Sequence, residues 1–160
     1  PATGRVLLDL PAGAGSGLGS ADIETLAISP RGEVWVAGED GVAVLDPVHQ
    51  RFRAVPAMGG ERVYALAFDG RDALWLQRQS GLERYQRQAG RWVRSQRVGP
   101  AEGMPAVGAA GLRVDAGGRV WVSTPRGLQR WDPRSRVLRR HAGSDSAASQ
   151  EYLDRAIALT

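Results

Sequence analysis

The chain has 160 residues with 42% hydrophobic and 6% aromatic content, 21 glycines, nine prolines, no cysteine and a net charge of +4. That length suits one ordinary domain, the absence of an apolar run of about 18 residues argues against a membrane-spanning helix, and the absence of cysteine excludes disulfides and thiolate metal sites. All 21 basic residues are arginine, and 16 of them fall between residues 61 and 140 against seven acidic residues, so the middle of the chain is basic.

In chain order, residues 1–20 contain Gly4-Arg5-Val6-Leu7, which reads as the outer strand of a preceding unit. The glycine-rich "GAGSGLGS" at residues 13–20 that follows lacks the Gly-Lys-Ser/Thr ending and the succeeding helix of a phosphate loop, so it reads as a connector. Residues 21–56 form a first unit, with an inner strand at Ile23-Glu24-Thr25-Leu26, a turn at Ser29-Pro30-Arg31-Gly32, and then "EVWVAGEDGVAVLDP". Residues 57–97 repeat that order around "ALWLQRQSGLERYQR" after the turn Asp69-Gly70-Arg71-Asp72. In the third unit, residues 98–142, strands are expected at 111–115, 120–124, 127–132 and 137–142. Residues 143–160 read as a connector and the inner strand of a following unit at Ala156-Ile157-Ala158-Leu159.

The three units keep one register. Trp35, Trp75 and Trp121 are separated by 40 and 46 residues, and so are Gly41, Gly81 and Gly127, Ile28, Phe68 and Val114, Leu45, Tyr85 and Trp131, and Phe52, Trp92 and Leu138. A period of about 40–50 residues built from short apolar runs is the signature of propeller blades. The turns carry the chemistry that hairpins require, and Asp46-Pro47 and Asp132-Pro133 stop the third strands because proline cannot donate to a continuing ladder. Runs such as "VWV" and "LWL" are apolar at successive positions, as strands covered on both faces must be. The fold class is therefore all-β, with four-stranded antiparallel propeller blades, three of them complete and flanked by single strands. Trp35, Trp75 and Trp121, with Gly41, Gly81 and Gly127, are assigned to the structural core of the repeat.

Residues 18–141 are similar to the two-component-regulator propeller repeat. "DAGGRVWVSTPRGLQRWDPRSRVLRRH" resembles its pattern of Asp, Gly, Trp, Gly-Thr, Gly-Leu, Arg, aromatic and Asp-Pro, and Gly17-Leu18 and Gly103-Met104-Pro105 resemble its connector. Departures are Ser29 at the acidic position held by Asp69 and Asp115, Val42 where Leu82 and Leu128 stand, and Gln77-Arg78 in place of a small pair. The resemblance implies a periplasmic ligand-binding sensor domain of a histidine kinase or diguanylate cyclase, linked through the membrane to an output domain. It implies no enzymatic activity, cofactor or metal. Two further readings stand beside it: a propeller enzyme of the streptogramin-lyase type and a scaffold propeller that binds protein.

Catalytic chemistry finds little support in the residues. His49 and His141 are the sole histidines, and neither sits where a triad or metal site would need it. The outer-strand arginines read as a solvated rim that keeps edges from pairing with other chains, with no nucleic-acid partner expected. Three complete blades are fewer than the 4–8 of closed propellers, so further blades of the same or another chain, including a homo-oligomer, are expected partners. In a four-strand meander the turn between strands two and three shares an edge with the connector leaving strand four. That edge carries Asp40, Arg78 and Arg126, with Glu39, Gln79 and, bordering the last connector, Tyr152 as further contacts for an unknown small molecule or glycan.

Overall fold

The computed structural model describes residues 8–109 and 111–141. Twelve strands form three separate four-stranded antiparallel sheets, each a meander with its strands in chain order. The first contains β1 (Ile23–Ile28), β2 (Val34–Gly38), β3 (Gly41–Asp46) and β4 (Arg51–Ala54). The second contains β5 (Ala65–Phe68), β6 (Ala73–Arg78), β7 (Gly81–Gln88) and β8 (Arg91–Val98). The third contains β9 (Gly111–Val114), β10 (Val120–Thr124), β11 (Gly127–Asp132) and β12 (Val137–His141). The only helical elements described are two 3-10 turns, Pro56–Met58 and Pro100–Glu102, in the connectors, and no described helix is long and apolar enough to cross a membrane. These are propeller blades, and three of them are complete. The expected strands at Gly4–Leu7 and Ala156–Leu159 lie outside the described residues.

Local chemistry fixes the meanders. Strands two and three join through two-residue turns, so Gly38 pairs with Gly41, Arg78 with Gly81 and Thr124 with Gly127. Gly41 and Gly81 stand at φ of +93° and +130°, where a side chain is strained. A Cβ there would also lie 2.4 Å from the Met58 carbonyl and 2.1 Å from the Val98 carbonyl, so glycine lets the outgoing chain pass against the turn. Asp46 closes the outer turn of the first blade by accepting the Val48 and His49 amides, and Asp132 does the same for Arg134 and Ser135. Both are turn residues. Their carboxyls stay below the usual range, Asp46 falling to about 2 chiefly through its His49 contact and Asp132 through the Ser135 and Arg134 amides.

Two apolar clusters glue the blades face to face. Trp35, Ala37 and Val42 of the first blade meet Leu66, Leu74, Leu76 and Tyr85 of the second, with Trp92 and Phe68 set edge-on to Trp35. The opposite face of the second blade, carrying Trp75 and Leu82, meets Leu112, Val120, Val122 and Trp131 of the third. Trp35 and Trp75 each face the blade that follows. Trp35 and Trp75 are thereby buried, whereas Trp121 is half-buried on the outward face of the third blade, beside Arg130 and the His141 ring. At the other end, Leu26 and Ile28 are 61% and 57% exposed on the first blade.

Candidate ligand-binding face

The connectors do return along the edge of the two-residue turns. The Val63 amide bonds the Gly38 carbonyl at 2.9 Å, the Tyr64 amide bonds the Gln77 carbonyl at 2.9 Å, and the Glu39 amide bonds the Asp22 carbonyl at 3.2 Å. Turns and connectors thus build one face.

On this face the first blade carries a pocket of about 370 Å³, bounded by Gly17–Ser20 and Asp22 on the connector side and by Gly38–Gly41 on the turn side. The glycine-rich segment wraps it, as a connector would. A Gly13–Leu18 bridge tightens the loop, and the Ser16 carbonyl accepts the Phe52 amide at 2.6 Å. Backbone packing demands the glycines: a Cβ on Gly17 would come within 2.0 Å of the Phe52 carbonyl, and one on Gly38 within 2.0 Å of the Asp22 carbonyl.

The mouth of the pocket is acidic. Glu39 is held by Ser20, whose hydroxyl donates to Oε2 at 2.9 Å and accepts the Asp22 amide at 3.1 Å. Arg62, from the next connector, ties Asp22 and Glu24 at 2.6 Å each and stands 4.0 Å from Glu39. Those two carboxylates raise the Arg62 pKa, so it remains a fixed cation. Glu39 keeps 55% of its side chain exposed, and Asp40 is exposed beside it. Such a site offers carboxylate acceptors and one hydroxyl to a ligand bearing hydroxyl or amino groups. A second pocket of about 500 Å³ lies between the inner strands, lined by Glu24, Thr25, Tyr64 and Arg113 from three blades among others.

Glu39 and Asp40 therefore share a pocket. Gln79 and Arg126 are exposed on the turns of the second and third blades but do not line it, and Tyr152 lies outside the described residues. Arg78, expected as a ligand contact on its turn, is instead buried under the connector. Its side chain is 3% exposed, paired to Glu83 at 2.8 Å, with its other nitrogens donated to the Met58 carbonyl at 2.8 Å and to the Glu61 carbonyl. The connector between blades lies over the strand end, so this arginine is a clamp on that connector. Burial pushes the Glu83 carboxyl up, but Arg78, Tyr85 and Arg94 outweigh it and hold the group below its ordinary value. Its neighbour Gln77 is a second clamp, donating to the Val107 carbonyl at 2.6 Å and accepting the Ala109 amide at 3.0 Å. The departure from a small pair at Gln77-Arg78 was the sequence signal for these clamps. Ser20, Asp22 and Arg62 had no comparable signal, since their alignment depends on how two connectors cross.

His49 sits on an outer turn against Asp46 at 2.9 Å, and His141 packs beside Trp121; neither lines the pocket. Among the described residues, no group of three or more His, Cys, Asp or Glu side chains is arranged to hold a metal ion.

No family model matches the chain, and no curated protein matches it. Solved structures do. The extracellular domain of BT4673 from B. thetaiotaomicron, assigned to a one-component system, aligns with 87% of this chain at 18% identity and a TM-score of 0.63. That of BT3049 from the same organism, assigned to a hybrid two-component system, aligns with 76% at 18% identity and a TM-score of 0.58. A virginiamycin B lyase from Staphylococcus aureus, solved with quinupristin, aligns with 79% at 14% identity and a TM-score of 0.55. The chain spans 18% and 17% of the two extracellular domains and 43% of the lyase. Extracellular domains of one- and two-component systems and a lyase thus share this architecture, and what the likeness establishes is the β-propeller fold.

Proposed function

We propose that the chain is a non-enzymatic, extracytoplasmic ligand-binding segment of a signalling propeller, coupled through the membrane to a kinase or cyclase output domain. The observation that carries this reading is the pocket on the turn face, where Glu39 and Asp40 converge with Ser20 on a blade whose core columns repeat those of its neighbours. The likeness to extracellular domains of one-component and two-component systems supports the same role and a periplasmic location. The ligand is a small polyhydroxylated or amino-bearing molecule or a glycan, recognised by carboxylate acceptors. Further blades, of this chain or another copy, cover the exposed Leu26 and Ile28 at one end and the Trp121 face at the other.

The lyase reading draws on the likeness to virginiamycin B lyase and requires a base at the pocket. A thermal-shift screen of metabolites and glycans, with product analysis of each hit, separates the two. A ligand that raises the melting temperature and is recovered unchanged supports sensing. Turnover of the hit, or no stabilising ligand in a broad library, overturns it.

A further inference from the structure

A second surface, between the outer strands of neighbouring blades, carries chemistry of its own. Between the first and second blades an outer groove of about 280 Å³ is lined by Glu33, Trp35, Val44, Arg53, Arg87 and Trp92 among others. Its walls follow from register. Arg53 pairs with Val44 on the face of the first blade turned toward the second, and Arg87 pairs with Trp92 on the face of the second turned toward the first.

We propose that this groove binds a ring that carries a carboxylate, either a uronic sugar or an aromatic acid. Trp92 is anchored edge-on to Trp35 with centroids 5.6 Å apart, yet remains partly exposed and supplies a flat apolar platform. Arg87 lies 5.9 Å from the centre of that ring, and among the described residues no carboxylate forms an ion pair with it. Arg53, on the opposite wall, is 72% exposed and holds Asp46 at only 3.4 Å, leaving its terminal nitrogens to a ligand. Two guanidinium groups facing one groove suit a carboxylate, which accepts paired N–H donors, while the attached ring packs beside the Arg87–indole stack. Glu33 takes Ser29 and Trp35 as donors on one oxygen, at 3.0 and 3.3 Å, and can accept a ring hydroxyl on the other.

The interface between the second and third blades differs at these positions. Its aligned residues are Pro133 and Leu138 in place of Arg87 and Trp92, and its arginine, Arg84, is tied to Asp69 at 2.6 Å. The repeat therefore does not need an arginine and a tryptophan there to fold, and the first groove departs from it toward ligand chemistry. The proposal concerns a different surface from the turn-face pocket and stands or falls separately.

The test is calorimetric titration of the full 160-residue chain with glucuronic acid and 4-hydroxybenzoate, and with glucose and 4-hydroxybenzyl alcohol as uncharged counterparts. One of the acids is expected to bind at least about tenfold more tightly than its counterpart, and which acid does so separates sugar from aromatic. R87Q, R53Q and W92L are each expected to weaken it by about tenfold, while R139Q, which alters an exposed arginine of the third blade, leaves it unchanged. R53Q alters an exposed side chain, so it reads the site even if another variant is unstable. Equal affinity for acids and counterparts, no binding at millimolar acid, or unchanged affinity in R53Q would overturn the proposal.

Discussion

The second and third blades share strand order and core columns, yet they treat the polar atoms around their central tryptophan in opposite ways. In the third blade Asp115 accepts the Trp121 indole N–H at 2.8 Å together with the Gly117 and Arg119 amides, so one carboxylate organises the turn and the ring. In the second, the aligned Asp69 bonds the Arg84 side chain, and the buried Trp75 indole N–H has no partner among the described residues. After the tryptophan the contrast reverses. The third blade has Ser123, whose buried hydroxyl has no partner among the described residues, and Thr124, which bonds the Gly127 carbonyl at 2.9 Å. The second has Gln77 and Arg78, which reach into the connectors on either side. A repeat can thus keep its apolar skeleton while moving its polar support from the turn to the neighbouring chain. The middle blade is the one covered on both faces, and it is the one that clamps both of its connectors.

This difference can be broken from the clamp side first. Arg78→Met removes the buried partner of Glu83, leaving it only the exposed Arg94 and the Tyr85 hydroxyl, and strands the connector carbonyls of Met58 and Glu61, at an expected cost of about 3–5 kcal/mol in denaturant unfolding. Arg94→Met, on the other oxygen of the same carboxylate but 51% exposed, should cost about 1 kcal/mol or less. If the two costs are equal, Arg78 is not the clamp described. Gln77→Leu comes next, at about 1–3 kcal/mol, because it strands the Ala109 amide and the Val107 carbonyl, and faster amide exchange at residues 107–109 is the accompanying signature.

The turn side gives a smaller contrast. Asp115→Ala should cost about 1–2 kcal/mol and Asp69→Ala about 1 kcal/mol or less, since the first loses an indole and two backbone donors and the second an arginine. Equal losses would mean that the shared acidic position does one job in both blades. The smallest effect is at low pH. A carboxyl depressed in the folded state contributes stability that is fully present above its ordinary value and is lost as pH falls through the folded one. For Asp46 that window runs from about 3.8 down to about 2, and His49→Ala should move the Asp46 titration upward, as read by NMR, without moving that of Asp132.

The apolar columns, the four-strand meanders and the glycine turns were legible because each is a local rule repeated three times. Trp35, Trp75 and Trp121 announce themselves by spacing. Arg78 misled because a charged residue beside a turn looks solvated until the connector carrying Met58 and Glu61 is laid across it. The pocket was half legible. Glu39 and Asp40 follow from strand alternation, whereas Arg62 reaches Asp22 and Glu24 only because connectors nearly 40 residues apart are brought together. The outer groove was invisible for the same reason, since Arg53 and Arg87 belong to different blades.

The central claim is that the turn face of the first blade recognises a ligand. Its most direct test is titration of the best stabilising ligand, chosen so that its affinity survives W92L, against the E39Q and D40N variants. The account predicts at least about a tenfold loss of affinity in one or both, with the unfolding midpoint unchanged, because each removes an exposed carboxylate acceptor and leaves the strands intact. Full affinity in both would contradict it.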